Sequence, residues 1–352
     1  MPLLVLAVGL LSGWPPAQCQ PASPTPPNPA QPQTQAQIQV PSGPGGIAFL
    51  RDDGIYYLPP GGGQPVRLRQ GKFPALSPDG KRLAFCLERK ELDRNALERM
   101  NTGEAILEAA SFIGGLFGSR LRVLDISTGQ EKALLDSEEL IRNPVWSPTG
   151  DRLAFAVKKG KNVQLDVIQT DGSGRRLLFP LKAGEKLNNI WGLYWAPDGK
   201  GLWFHDMRHL FQVDEKGVLL AKTPVDAIMG KQSNVFILIS GEDRFVPNPA
   251  NPQLLAFTRR VKAPKAFAKV FKDDFPEINA VFFYHTGTKT RTRVTPRDMW
   301  ASHPCWSRDG QYLYFEGYRQ PHYREEDPFR IYRIQRDGKG LQEITRGQAP
   351  SL

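Results

Sequence analysis

Apolar and polar residues alternate along most of this chain in short runs. Each run is broken by a turn rich in Ser, Pro, Asp and Gly. Alternation with a period of two over about 4–8 residues marks half-buried strands. Four stretches repeat the pattern: FPALSPDGKRLAF (73–85), NPVWSPTGDRLAFAV (143–157), GLYWAPDGKGLWFHD (192–206) and HPCWSRDGQYLYFEG (303–317). A degenerate fifth is FVPNPANPQLLAFTRR (245–260). Each predicts a strand, a tight turn and a second strand ending on an aromatic residue.

The turn has a physical logic. Pro78, Pro148 and Pro197 preset φ at the second position after Ser77, Ser147 and Ala196. Asp79, Asp198 and Asp309 can bond their own backbone, and Gly80, Gly150, Gly199 and Gly310 supply positive φ. In this setting the Ser is a turn residue and not a nucleophile. Two further short strands follow most copies, as in VQLDVIQTDGSGRRLLF (163–179), HLFQVDEKGVLLAKT (209–223) and RIYRIQRDGKGLQEIT (331–345). The unit is therefore four antiparallel strands, a to d outward from a centre, recurring about every 50 residues. That is the pattern of a propeller blade.

The ends of the chain complete the count. Residues 45–71 offer strands b (Ile47–Leu50), c (Ile55–Leu58) and d (Val66–Leu68) without a strand a, and Ala349–Leu352 offer a strand a without a b. The two fragments make a sixth blade. The fold class is all-β: a six-bladed β-propeller closed by its C-terminal strand, spanning 45–352.

Ahead of it, Leu3–Leu11 is an apolar run of export-signal length, well short of the roughly 20 residues of a membrane span. Residues 1–19 are read as an export signal, with Cys19 a lipidation candidate, and 20–44 as a Pro/Gln-rich linker. The protein is expected to be exported to the periplasm or cell envelope. Membrane contact would come only through an N-terminal anchor.

Repeats of the form Pro144-Val145-Trp146-Ser147-Pro148 with Leu153-Ala154-Phe155 resemble those of the TolB-like propeller family, over essentially the whole of 45–352. The N-terminal α/β domain of TolB has no counterpart in this reading. The resemblance implies a periplasmic setting and binding to proteins, and leaves function open because one fold serves many activities.

Three insertions fall between strands b and c, and so on one face. One lies near 89–118 and is expected to be helical, with Met100 and Phe112 in an apolar stripe. The second carries Lys262, Lys265, Lys269 and Lys272 interleaved with Phe267 and Phe271, also read as helical. The third holds Arg319, His322, Tyr323 and Arg324. Trp191 and Trp300 precede strand a and would reach the same face, where loops on a rigid scaffold usually carry function.

The net charge of +10 favours an acidic partner, and nothing resembles a nucleic-acid motif. There is no Gly-x-Ser-x-Gly, phosphate loop or dinucleotide fingerprint. His205 and His209 flank a turn, a weak two-ligand metal candidate. Three cysteines make no disulfide framework. The expectation is a monomeric, non-catalytic propeller without cofactor that binds a protein or cell-envelope ligand through its b–c face. The alternative is a carbohydrate-active enzyme, lyase- or hydrolase-like, with a site at the channel mouth.

Overall fold

A computed structural model describes residues 41–52, 54–88, 119–137, 139–159, 162–180, 187, 189–230, 244–264, 277–319 and 321–352. They belong to one compact unit, Ile38–Leu352; a second unit, Met1–Gln37, lies outside them. Among the described residues no helix is long and apolar enough to cross a membrane.

Six four-stranded antiparallel sheets form the blades. The first joins β24 (Gln348–Ser351) to β1 (Ile47–Arg51), β2 (Gly54–Leu58) and β3 (Val66–Gln70). The next two are β4 (Lys72–Leu76), β5 (Arg82–Glu88), β6 (Ser119–Asp125) and β7 (Glu131–Ser137), then β8 (Leu140–Trp146), β9 (Arg152–Lys159), β10 (Asn162–Gln169) and β11 (Arg176–Phe179). The fourth is β12 (Trp191–Trp195), β13 (Gly201–His205), β14 (His209–Asp214) and β15 (Leu219–Pro224), followed by a short helix α1 (Val225–Met229). The fifth is β16 (Phe245–Asn248), β17 (Asn251–Lys262), β18 (Glu277–His285) and β19 (Thr290–Arg293). The sixth is β20 (Trp300–Trp306), β21 (Tyr312–Tyr318), β22 (Arg330–Gln335) and β23 (Gln342–Arg346). The propeller and its closure by the C-terminal strand are as the repeat predicts.

The Ser-Pro-Asp-Gly turns are closed by the backbone, as Ala196 and Gly199 show in the third copy, and the serine hydroxyl adds side-chain bonds where it is present. In the β4–β5 turn the Gly80 N–H donates to the Ser77 carbonyl (2.8 Å) and the Arg82 N–H to the Ser77 hydroxyl (2.8 Å), which donates to Asp79 (2.5 Å). Ser307, Gly310, Tyr312 and Asp309 repeat this set. In the degenerate fifth copy the buried Asn248 substitutes. Its amide oxygen accepts from the Ala250 and Asn251 N–H groups, and its NH2 donates to the Gly310 carbonyl of the next blade (2.8 Å).

Blades pack face to face through buried residues, as where Phe179 of the third blade meets Phe204 of the fourth with ring centroids 5.7 Å apart. Tryptophans at the ends of inner strands tie neighbours together. Trp146 donates to the Ala75 carbonyl (2.8 Å) and Trp306 to that of Val246 (3.0 Å). Trp146→Phe should therefore cost about 1–2 kcal/mol, because a buried inter-blade carbonyl loses its donor. Urea denaturation checks this, and an unchanged midpoint would mean the bond contributes nothing.

The second insertion differs from its sequence reading. The β17–β18 ladder runs on through Arg260–Asn279, Val261–Ile278 and Lys262–Glu277. Lys262 thus ends a strand and is not helical; buried Ile278, packed against Tyr323, anchors the extension. Lys265, Phe267, Lys269, Phe271 and Lys272 lie outside the described residues, as do Met100, Phe112, the 89–118 insertion and Cys19.

Candidate functional site at the channel mouth

The innermost strands β4, β8, β12, β16, β20 and β24 surround a central channel of about 1090 Å³. Five of them share a local distortion. Phe73, Asn143, Gly192, His303 and Ala349 all have φ between +47° and +55°. Pairing with the neighbouring strand skips at this point, between Lys72 and Ala75, Arg142 and Val145, Trp191 and Tyr194, and Ser302 and Cys305. These are bulges in the left-handed region, which costs about 1–3 kcal/mol for each residue other than Gly. A proline follows in four cases, Pro74, Pro144, Pro304 and Pro350. The repeat of one strained bulge around the bore marks the channel wall as the unusual part of the fold.

The residues just before these bulges stand at the b–c end of the channel. Lys72 opens β4, Arg142 lies on β8 with its guanidinium 5.8 Å over the Trp191 ring, and Arg244 immediately precedes β16. Arg260, on β17, also lines the channel, as do Trp191, Trp300 and Phe329. The mouth is thus basic and aromatic. At the opposite end stand Pro78, Pro148, Pro197 and Pro249, with Arg308 donating across the first blade to the Ser77 carbonyl.

Among the described residues one carboxylate lines the channel, that of buried Glu316 on β21. It lies 2.8 Å from the His303 Nδ1 and accepts the Ala349 N–H at 2.7 Å. Burial pushes its pKa up, but His303, the Ala349 N–H and the Arg244 charge outweigh burial, so the carboxyl is held below the usual glutamate range. Nearby, burial pushes the Cys305 thiol up to about 12, so it stays protonated and unreactive at neutral pH.

The third b–c segment folds onto its own blade. Trp300, Tyr318 and Phe329 form an aromatic cluster with ring centroids 5.2–5.4 Å apart, and Tyr323 meets the Tyr318 ring edge-on at 6.0 Å. Tyr323 is buried and donates to the Asp298 carbonyl, while Arg319 pairs with the Asp298 carboxylate at 3.0 Å. His322 contacts Glu325 at 2.5 Å and Glu343 at 3.5 Å. Arg324 lies in the same short 3-10 turn, His322–Arg324. Trp191 and Trp300 therefore reach the channel, whereas Arg319, His322 and Tyr323 brace the loop beside it.

His205 is fully buried with its ring edge-on to Phe245, and His209 lies 3.7 Å from Asp206. Among the described residues no three His, Cys, Asp or Glu side chains gather to hold a metal. Sequence reasoning missed Lys72, Arg142, Arg244, Arg260 and the His303–Glu316 pair. The available clue was the residue–Pro step recurring at one place in strand a.

Comparison with known proteins fits this architecture. No family model and no curated protein matches the chain. Among solved structures it is similar to TolB from Acinetobacter baumannii, at 16% identity over 87% of this chain with a TM-score of 0.58; the chain spans 66% of that protein's length. It is also similar to a chain of a nidogen/laminin complex, at 11% identity over 87% of this chain and 97% of the other, TM-score 0.50. An oligogalacturonate lyase in complex with manganese matches at 16% identity over 76% and 72%, TM-score 0.42. The likenesses to TolB and to the nidogen/laminin chain show the propeller fold alone.

Proposed function

We propose that this propeller is an exported, non-catalytic binding protein that takes an acidic protein or cell-envelope ligand at the channel mouth on its b–c face. The observation that carries this reading is charge. Basic residues from separate blades gather around Trp191 and Trp300, while the channel's carboxylate, Glu316, is engaged with His303 and the Ala349 N–H. Among the described residues the charged side chains at the mouth are basic, and a basic mouth concentrates anionic ligands.

The test is capture from envelope extracts by wild type and by a Lys72→Glu, Arg142→Glu, Arg260→Glu triple variant. The wild type should retain a stoichiometric acidic partner with salt-sensitive affinity, and the variant should weaken it about tenfold or more at low salt. Equal retention by the two proteins would refute the mouth as the binding surface.

The second reading is a carbohydrate-active enzyme. It is favoured by His303, whose imidazole is oriented by a buried carboxylate on a strained backbone at the channel wall. Turnover of an acidic polysaccharide that disappears in His303→Gln would replace the binding reading.

A further inference from the structure

We propose that the channel binds an anionic amphiphile, with its carboxylate or phosphate group on the basic rim and a single hydrocarbon chain down the bore. This deepens the binding reading above and rests on it. Two features of the wall select this chemistry. The first is polarity by depth. The rim carries Lys72, Arg142, Arg244 and Arg260, whereas below it the wall is largely apolar, with Pro74, Pro144, Pro304, Pro350, Leu193 and Val246 interrupted by Asn143, Tyr194, His303, Glu316 and Gln348, down to Arg308 at the far end. A charged ring above an apolar wall matches a charged head above an apolar tail. At about 1090 Å³ the channel is at the top of the roughly 300–1,000 Å³ usual for small-molecule sites, so a long chain can be housed.

The second feature separates a lipid chain from a peptide. Each inner strand is the inner edge of its sheet, and such an edge would ordinarily accept an extended peptide through main-chain hydrogen bonds. Proline has no N–H to offer. A proline at one repeat position therefore removes one such donor from each of four inner strands, beside a bulge that already breaks the regular spacing of the rest. Hydrocarbon needs none. The His303–Glu316 pair, its Nδ1 and carboxylate oxygen 2.8 Å apart, is one of several polar points in the wall, with Asn143, Tyr194 and Gln348.

The experiment titrates the full chain below micelle concentrations with dodecanoate, dodecyl phosphate, dodecanol, shorter alkanoates and an oligoglutamate peptide. Binding is read by calorimetry and by tryptophan fluorescence, to which Trp191 and Trp300 report. Dodecanoate or dodecyl phosphate should bind saturably at one site, and the preferred one names the head group. Each two methylenes removed should weaken binding about tenfold, and dodecanol should bind about tenfold more weakly than the anions. The Lys72→Glu, Arg142→Glu, Arg260→Glu variant should lose about tenfold with its melting temperature retained.

Dodecanol binding as tightly as dodecanoate, affinity independent of chain length, or oligoglutamate binding where the amphiphiles do not would each overturn the proposal. The two readings separate cleanly. If the triple variant loses its envelope partner while neither amphiphile binds wild type, the amphiphile falls and the binding surface stands. If amphiphile binding weakens in the variant while partner capture is unchanged, the amphiphile stands and the acidic partner falls.

Discussion

Deleting the last six residues, Gly347–Leu352, should lower the melting temperature by roughly 10 °C or more, corresponding to about 4 kcal/mol or more. Those residues supply β24, the inner strand of a blade whose other strands begin at Ile47. Removing it strips β1 of its Ala48–Ser351 and Leu50–Gln348 pairings. It also cuts ties to both neighbouring blades. Glu316 of the sixth blade loses the Ala349 N–H, and the Leu76 N–H of the second loses the Ser351 hydroxyl at 2.9 Å. Gly347 backs so closely onto Phe49 that a Cβ there would overlap the ring, so its loss uncovers a fully buried aromatic. An exposed β1 edge would also invite self-association, read by size-exclusion chromatography. A truncated chain with an unchanged melting temperature and a monomeric profile would refute closure through β24.

The ring was legible because its determinants are local. Period-two alternation, the Pro-Asp-Gly turn chemistry and the orphan strands at 47–68 and 349–352 each involve a few adjacent residues. The degenerate blade was legible in the stretch 245–260; that Asn248 would do the work of a Ser-Pro-Asp-Gly serine was not. The bulge ring escaped for a different reason. Phe73, Asn143, Gly192, His303 and Ala349 share a backbone conformation and no side-chain chemistry, and a bulky residue such as Phe at positive φ runs against local preference. The basic mouth escaped because Lys72, Arg142 and the Arg244–Arg260 pair come from three blades separated in sequence and meet only when the ring closes. The run of lysines at 262–272 drew attention because it is contiguous, whereas Lys72, Arg142, Arg244 and Arg260 are not. Sequence reading finds charge along a strand more easily than charge around a channel.

Glu316→Ala should destabilise the propeller by about 3 kcal/mol, and Glu316→Gln by about half as much. The carboxylate is buried, so its worth depends on the groups around it. The alanine variant leaves the Ala349 N–H without an acceptor and the His303 imidazole without a partner, and it opens a void beside the C-terminal strand. The glutamine variant keeps an acceptor for Ala349 and loses only the charge facing His303 and Arg244. The charge gives the effect a pH signature. The Glu316 pKa in the fold is depressed below the ordinary 4.5. Its contribution is therefore complete above the ordinary value and drains away as pH falls through the lower, folded value. The stability gap between wild type and Glu316→Gln should narrow as pH falls below the ordinary glutamate value of 4.5. Urea denaturation of both proteins above and below that value measures the gap directly. A gap that holds its size into strong acid would show that the Glu316 charge contributes nothing to closure and that its hydrogen bond to β24 carries the whole effect.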